Sequence, residues 1–168
     1  DYIYSIYANY TPGGGEPTYK YLGYGYTKVF GQTSLSSNIQ AVHVTMPENG
    51  TIRSLTMYHN SGGSGNNMRL GVYDGGASAP QDLLSEGGTP VATYACWQTI
   101  KLDPAVPVMG GTTIWLAWCY DINPGIRIRF CSGGSFQSDS TGCPLLDPFG
   151  SGKLKNDIFM IYATYTVD

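Results

Sequence analysis

Residues 156–166, NDIFMIYATYT, are apolar on two faces at once. In an extended strand Phe159, Ile161, Ala163 and Tyr165 point one way and Ile158 and Tyr162 the other, because side chains alternate with a period of two. Such a strand is read as interior to a sheet, with neighbours on both edges and cover on both faces, which commits the fold to at least two layers. The opening residues DYIYSIYANYT nearly repeat it. At an offset of 155 the two segments share six of eleven positions: Ile3 with Ile158, Ile6 with Ile161, Tyr7 with Tyr162, Ala8 with Ala163, Tyr10 with Tyr165 and Thr11 with Thr166. Tyr2, Ile3, Tyr4, Ile6, Tyr7, Ala8 and Tyr10 therefore carry the side chains of a second interior strand.

The remainder reads as short β-type runs between Gly, Pro, Asn and Ser clusters. Strands are expected over YTKVFG (26–31), QAVHVTM (40–46), TIRSLTMYH (51–59), NMRLGVYD (67–74), PVATYACW (90–97), QTIKL (98–102), TTIWLAWCYD (112–121), IRIRFC (126–131) and DIFMIYATYT (157–166). Asn123-Pro-Gly125 reads as a hairpin turn, and APQDLLSEG as one short helical turn. In TIRSLTMYH, Ile52, Ser54, Thr56 and Tyr58 oppose Arg53, Leu55, Met57 and His59, so both faces are partly apolar. In IRIRFC, Ile126, Ile128 and Phe130 form a core face against wet Arg127 and Arg129. The expected fold is all-β, a two-sheet antiparallel β-sandwich of jelly-roll type with an extra N-terminal strand. The expected organisation is an N-terminal strand (1–11), a Gly/Pro-rich hinge (12–19) and one sandwich domain (20–168).

Composition narrows the function. A net charge of -3 with nine scattered basic residues argues against nucleic acid, which needs clustered Lys and Arg. No apolar run approaches the roughly 18 residues of a membrane span. The chain begins without an initiator Met or a signal peptide, as a processed secreted product or a piece of a longer chain would. Cys96, Cys119, Cys131 and Cys143 lack the paired short spacings of a zinc site and read as disulfides. Three connectivities are open; the Gly/Ser-rich loop favours Cys131 with Cys143, leaving Cys96 with Cys119. Asn9 and Asn49 stand in sequons, which with the cysteines suits an extracellular, oxidising location.

The runs VTMPENGTIRSLTMYH, MRLGVYD, GTTIWLAWCYDINPGIRIR, DPFG and IYATYT, in that order, resemble an uncharacterised extracellular β-sandwich family. Its members are modules of large secreted bacterial and archaeal proteins, and the family is itself similar to jelly-roll carbohydrate-binding modules. The resemblance covers residues 20–166 and implies a fold and a secreted setting, with no catalytic motif. Modules of this kind close on the IYATYT strand, and here a second closing strand precedes the module.

If the C-terminal copy fills its own slot, the N-terminal copy needs a partner, since burying five or six such side chains is worth on the order of 10 kcal/mol before entropy. The first expectation is a head-to-tail filament of copies of this chain, in which the strand, freed by the hinge TPGGGEP, adds to a neighbour's sheet. A tandem array, whose preceding module the strand completes, is second; pairing at the edge of its own sheet follows closely.

Signs of catalysis are sparse. His43 and His59 lie on predicted strands with no GxSxG context, and no Cys/His cluster suggests a metal. Asp74, Asp82, Asp147 and Asp157 are the loop carboxylates that a structural calcium would use, with solvated turns the favoured reading. No cofactor is expected, and the protein is read as non-enzymatic. Eight of the fourteen tyrosines fall within the first 26 residues. Flat rings with a polar tip stack on sugars and also anchor interfaces. Tyr19, Tyr21, Tyr24 and Trp97 are therefore the candidate glycan-stacking residues, with interface or sheet packing ranked ahead for YKYLGYGY (19–26). Trp115 and Trp118 have opposite parity in one apolar strand, so at least one belongs to the core. The rival function is a carbohydrate-binding module.

Overall fold

A computed structural model describes residues 17–25, 38–61, 67–87, 91–122, 125 and 128–168, with the backbone alone at 91, 92 and 128–133. The first copy of the repeated strand with its residues Tyr2 to Tyr10, most of the hinge, the sequon Asn9 and the predicted strand 26–31 lie outside the described residues. So do the side chains assigned to two faces in IRIRFC.

The described residues form eleven strands: β1 (Tyr19–Gly23), β2 (Asn38–Thr45), β3 (Gly50–His59), β4 (Asn67–Tyr73), β5 (Leu83–Glu86), β6 (Val91–Ala92), β7 (Cys96–Val108), β8 (Thr113–Tyr120), β9 (Ile128–Thr141), β10 (Gly152–Phe159) and β11 (Ile161–Val167). They make two antiparallel sheets, one in the order β1-β11-β3-β7, the other β10-β9-β2-β8-β4-β5 with β6 also on β4. The fold is the expected β-sandwich, and β1 claims Tyr19 from the predicted hinge. β8 and β9 do not form the predicted hairpin, because β2 lies between them and pairs with both. The stretch read as a helical turn is β5, whose buried Ser85 pairs with Val72 and donates to the Pro104 carbonyl at 2.6 Å. Tertiary pairing overrides a weak local preference there.

The core between the sheets draws Val42 and Val44 from β2, Ile52, Leu55 and Met57 from β3, and Leu116 and Trp118 from β8. The predicted face Phe159, Ile161, Ala163 and Tyr165 lies in it whole. The predicted single strand 157–166 is nevertheless two strands: β10 ends at Phe159 in one sheet, and β11 begins at Ile161 in the other. One chain segment thus crosses the sandwich at Met160 while keeping its alternation in register with the core.

A second cluster covers the outer face of the longer sheet. Ile39, Ala41, Tyr73, Trp115, Ala117, Cys119 and Phe136 pack there against Leu145 and Phe149. β8 is covered on both sides, which is why Trp115 and Trp118 are both buried despite opposite parity. The Trp115 indole donates to the Gly76 carbonyl at 3.0 Å, so its polar edge is satisfied. This cover also decides the disulfide. Cys119 faces the same way as Trp115 and Ala117, toward residues 143–149, and bonds to Cys143 with a Cα separation of 5.3 Å. The favoured pairs Cys131 with Cys143 and Cys96 with Cys119 are therefore both corrected. Cys96 is a free, exposed thiol at the start of β7, in the other sheet from Cys119.

Candidate functional site

Among the described residues the outer face of the β1-β11-β3-β7 sheet carries no apolar cluster like the one over Trp115. The expected neighbours on both edges of the C-terminal copy are present for β11, in β1 and β3. Its second face carries Tyr162, half-buried, and Thr164.

Register sets out this face in rows. Gly23, Tyr162, Thr56 and Thr99 lie across the four strands in one row, and Tyr21, Thr164, Ser54 and Lys101 in the next. Tyr58 and Trp97, paired across β3 and β7, extend the face beyond the first row. Four rings from four strands meet here. Tyr21 packs edge-on to Tyr162 with ring centroids 5.5 Å apart, Tyr162 lies 5.4 Å from Trp97, and Trp97 lies 5.4 Å from Tyr58. Mutual edge contacts of this kind hold rings in place at little further entropic cost. Gly25 passes over the Tyr162 ring, where an added Cβ would just touch Cδ1 at 3.4 Å. Tyr21 is 61% exposed and Tyr19 57%, so this end of the row offers open ring surface to solvent.

Beside the row the sheet is interrupted. Ile52 pairs with Val106 and Ser54 with Lys101, so residues 102–105 of β7 stand opposite the single residue Arg53. On the β11 side the register also shifts at Arg53, between Ser54 opposite Thr164 and Ile52 opposite Tyr165. A bulge re-aims the side chain that it carries. It also resets the parity of β3, which resolves the mixed faces read from TIRSLTMYH: Ile52 and Leu55 both enter the core, while Arg53 is exposed. The break leaves a groove of about 490 Å³ lined by Tyr19, Arg53, Ser54, Lys101, Thr164 and neighbouring apolar atoms of Leu102 and Ala105. Arg53 Nε donates to Thr166 Oγ1 at 3.4 Å.

At the end of the sheet Lys20 is paired with Glu48 at 2.6 Å, and that ammonium holds the Glu48 carboxyl below the usual carboxylate range. Tyr165 donates to the same carboxylate at 3.1 Å, and burial together with this bond pushes its phenol up to about 12.

The other sequence candidates are placed as follows. Tyr19, Tyr21 and Trp97 share the outer face, but Tyr24 turns inward and packs against the inter-sheet core. Tyr58 and Tyr162 are not among the sequence candidates for stacking; their signal is the alternation that places Tyr162 on the second face of the closing strand and Tyr58 on a partly apolar face of TIRSLTMYH. His43 packs edge-on to Trp115, and His59 is fully buried against Tyr120. Asp74 accepts the Asp82 amide at 2.8 Å and Asp147 the Leu83 amide at 3.1 Å, so both carboxylates brace the turn before β5. Among the described residues no three His, Cys, Asp or Glu side chains gather where a metal would bind. Exposed Asn49 uses its Oδ1 to accept the Gly110 amide at 2.8 Å. Among the described residues no helix is long and apolar enough to cross a membrane. No model of a known protein family matches the chain, and no curated protein matches it.

Proposed function

We propose that the chain is a non-enzymatic extracellular module that binds carbohydrate on the outer face of its four-stranded sheet. The observation that carries this reading is the row Tyr21, Tyr162, Trp97 and Tyr58 running beside a polar groove. Sugar rings present apolar C–H faces rimmed by hydroxyls, which suits aromatic platforms flanked by Ser, Thr and cationic side chains. The Cys119–Cys143 bond accords with an oxidising setting. Both histidines have packing roles, His43 against Trp115 and His59 inside the core. The test is a glycan panel probed with the wild type, Trp97→Ala and Tyr21→Ala. Loss of binding in both variants with an unchanged melting temperature supports the reading; a bound glycan indifferent to both overturns it.

A second reading rests on a different observation. β11 already has both edges paired, to β1 and β3, so the slot that matches residues 6–10 is occupied by the chain's own C-terminal copy, while residues 2–4 match the end of β10 in the other sheet. This favours an acceptor in another copy or another module, and with it head-to-tail assembly into an extracellular fibre or a tandem array. Negative-stain electron microscopy with and without residues 1–11 tests it. Filaments that persist after truncation exclude strand donation, and filaments that vanish support it.

A further inference from the structure

The groove beside the aromatic row has a sign. The chain is acidic overall, at -3, and only nine of its residues are Lys or Arg, yet Arg53 and Lys101 both line this one groove and none of its lining residues among those described is acidic. Neither cation is neutralised by a carboxylate among the described residues. Arg53 spends only Nε, on Thr166, while Lys20 and Arg69 elsewhere are spent on Glu48 and Glu86. Asp103, in the bulged stretch of β7, is exposed but is not among the lining residues. Chance scatter of cations explains this poorly, because the placement of Arg53 depends on a register break in β3 that both neighbouring strands share. The bulge exposes a guanidinium whose terminal nitrogens have no partner among the described residues, beside a sheet row that ends in Lys101.

Resting on the carbohydrate reading of the same face, we infer that the ligand is an anionic glycan. A sugar ring stacks on the aromatic row, and the carboxylate of an adjoining uronic acid residue is held between Arg53 and Lys101. A guanidinium takes a carboxylate with two parallel N–H bonds, and a mobile ammonium supplies the second charge. Ser54 and Thr164 lie in the row between Tyr21 and Lys101 and provide hydroxyls for the ring oxygens.

The experiment uses the full chain and three probes: a galacturonic acid hexamer, a neutral glucose hexamer and a sulfated galactan oligomer. Binding is followed by calorimetry at 50 mM and 300 mM NaCl. The expected result is uronate binding at least about tenfold tighter than neutral binding, weakening as salt rises. Arg53→Gln and Lys101→Gln should each cost about tenfold toward the uronate and markedly less toward the neutral hexamer. Lys101 is exposed and its side chain makes no hydrogen bond or ion pair with the described residues, so its variant keeps the test alive if Arg53→Gln disturbs the fold. Equal binding of neutral and acidic hexamers, indifferent to both substitutions, overturns the inference and leaves the carbohydrate reading standing. Preference for the sulfated oligomer over the uronate overturns the carboxylate assignment. Failure of all three probes overturns both readings. Dimerisation that Lys101→Gln dissolves makes the occupant a second copy of the chain and overturns the inference as well.

Discussion

Lowering the pH tests a buried group whose chemistry the sequence does not disclose. His59 is fully buried on β3, with Nε2 2.8 Å from the Tyr120 hydroxyl, and that hydroxyl donates to Met57 Sδ at 3.0 Å. Nε2 is engaged by the tyrosine oxygen, and the charged imidazole carries an N–H at Nδ1 as well. Nδ1 has no hydrogen-bond partner among the described residues. Protonating the ring places a charge in the core with nothing to receive it, and burial accordingly lowers the imidazole pKa from 6.5 to about 4. The unfolded chain binds that proton near pH 6.5 and the folded chain only near 4, so the unfolded state holds more protons in between. Stability from this residue is complete above about pH 6.5 and is lost as the pH falls toward 4. The 2.5-unit difference corresponds to about 3 kcal/mol in all, with about 2 kcal/mol gone by pH 5. Urea unfolding of the wild type and His59→Gln at pH 7, 6, 5 and 4 isolates the effect, because carboxylates such as Glu48 titrate in both proteins. The wild type should lose about 2 kcal/mol more than the variant between pH 7 and pH 5. Parallel pH profiles refute the reasoning, and so does an NMR titration in which the folded imidazole protonates near its ordinary value.

Three further outcomes check the architecture. Replacing Cys119 and Cys143 by Ser opens a bond of sequence separation 24 and should cost about 3 kcal/mol in urea, while Cys96→Ser stays within about 0.5 kcal/mol; non-reducing peptide mapping that links any other pair contradicts the assignment. Leu116→Ala, at a fully buried core position, should lose about 2 to 5 kcal/mol, and Tyr21→Ala, 61% exposed, far less; equal losses would mean that the outer face is covered in solution. Gly75 has a φ of +129°, and an added Cβ would lie 2.4 Å from the Ala79 carbonyl oxygen, so Gly75→Ala should cost about 1 to 3 kcal/mol; a neutral midpoint shift would refute the turn geometry.

Much of the fold was legible because alternation is a local property of extended backbone. Phe159, Ile161, Ala163 and Tyr165 were assignable to one face from spacing alone, and they share the core although the chain changes sheets at Met160. The apolar run 114–120 likewise signalled that at least one of Trp115 and Trp118 is core, without saying that both are. Of the site, Tyr19, Tyr21 and Trp97 were legible as aromatic candidates, and Tyr24 was indistinguishable from them. A ring's neighbours in sequence do not reveal whether it faces a core or solvent.

The sequence by itself determined an all-β chain, most of its strands and the side chains that travel together, since these depend on residues within a few positions of one another. Tertiary structure alone decided which strands are neighbours, which cysteines meet and which rings share a face. Cys119 meets Cys143 because the segment after β9 folds back over Trp115. Arg53 comes to stand beside Lys101 and Thr164 because two strands distant in sequence lose register against β3 at the same point. Pairing energies of that kind are summed over contacts between distant segments, and no local pattern of side chains encodes them.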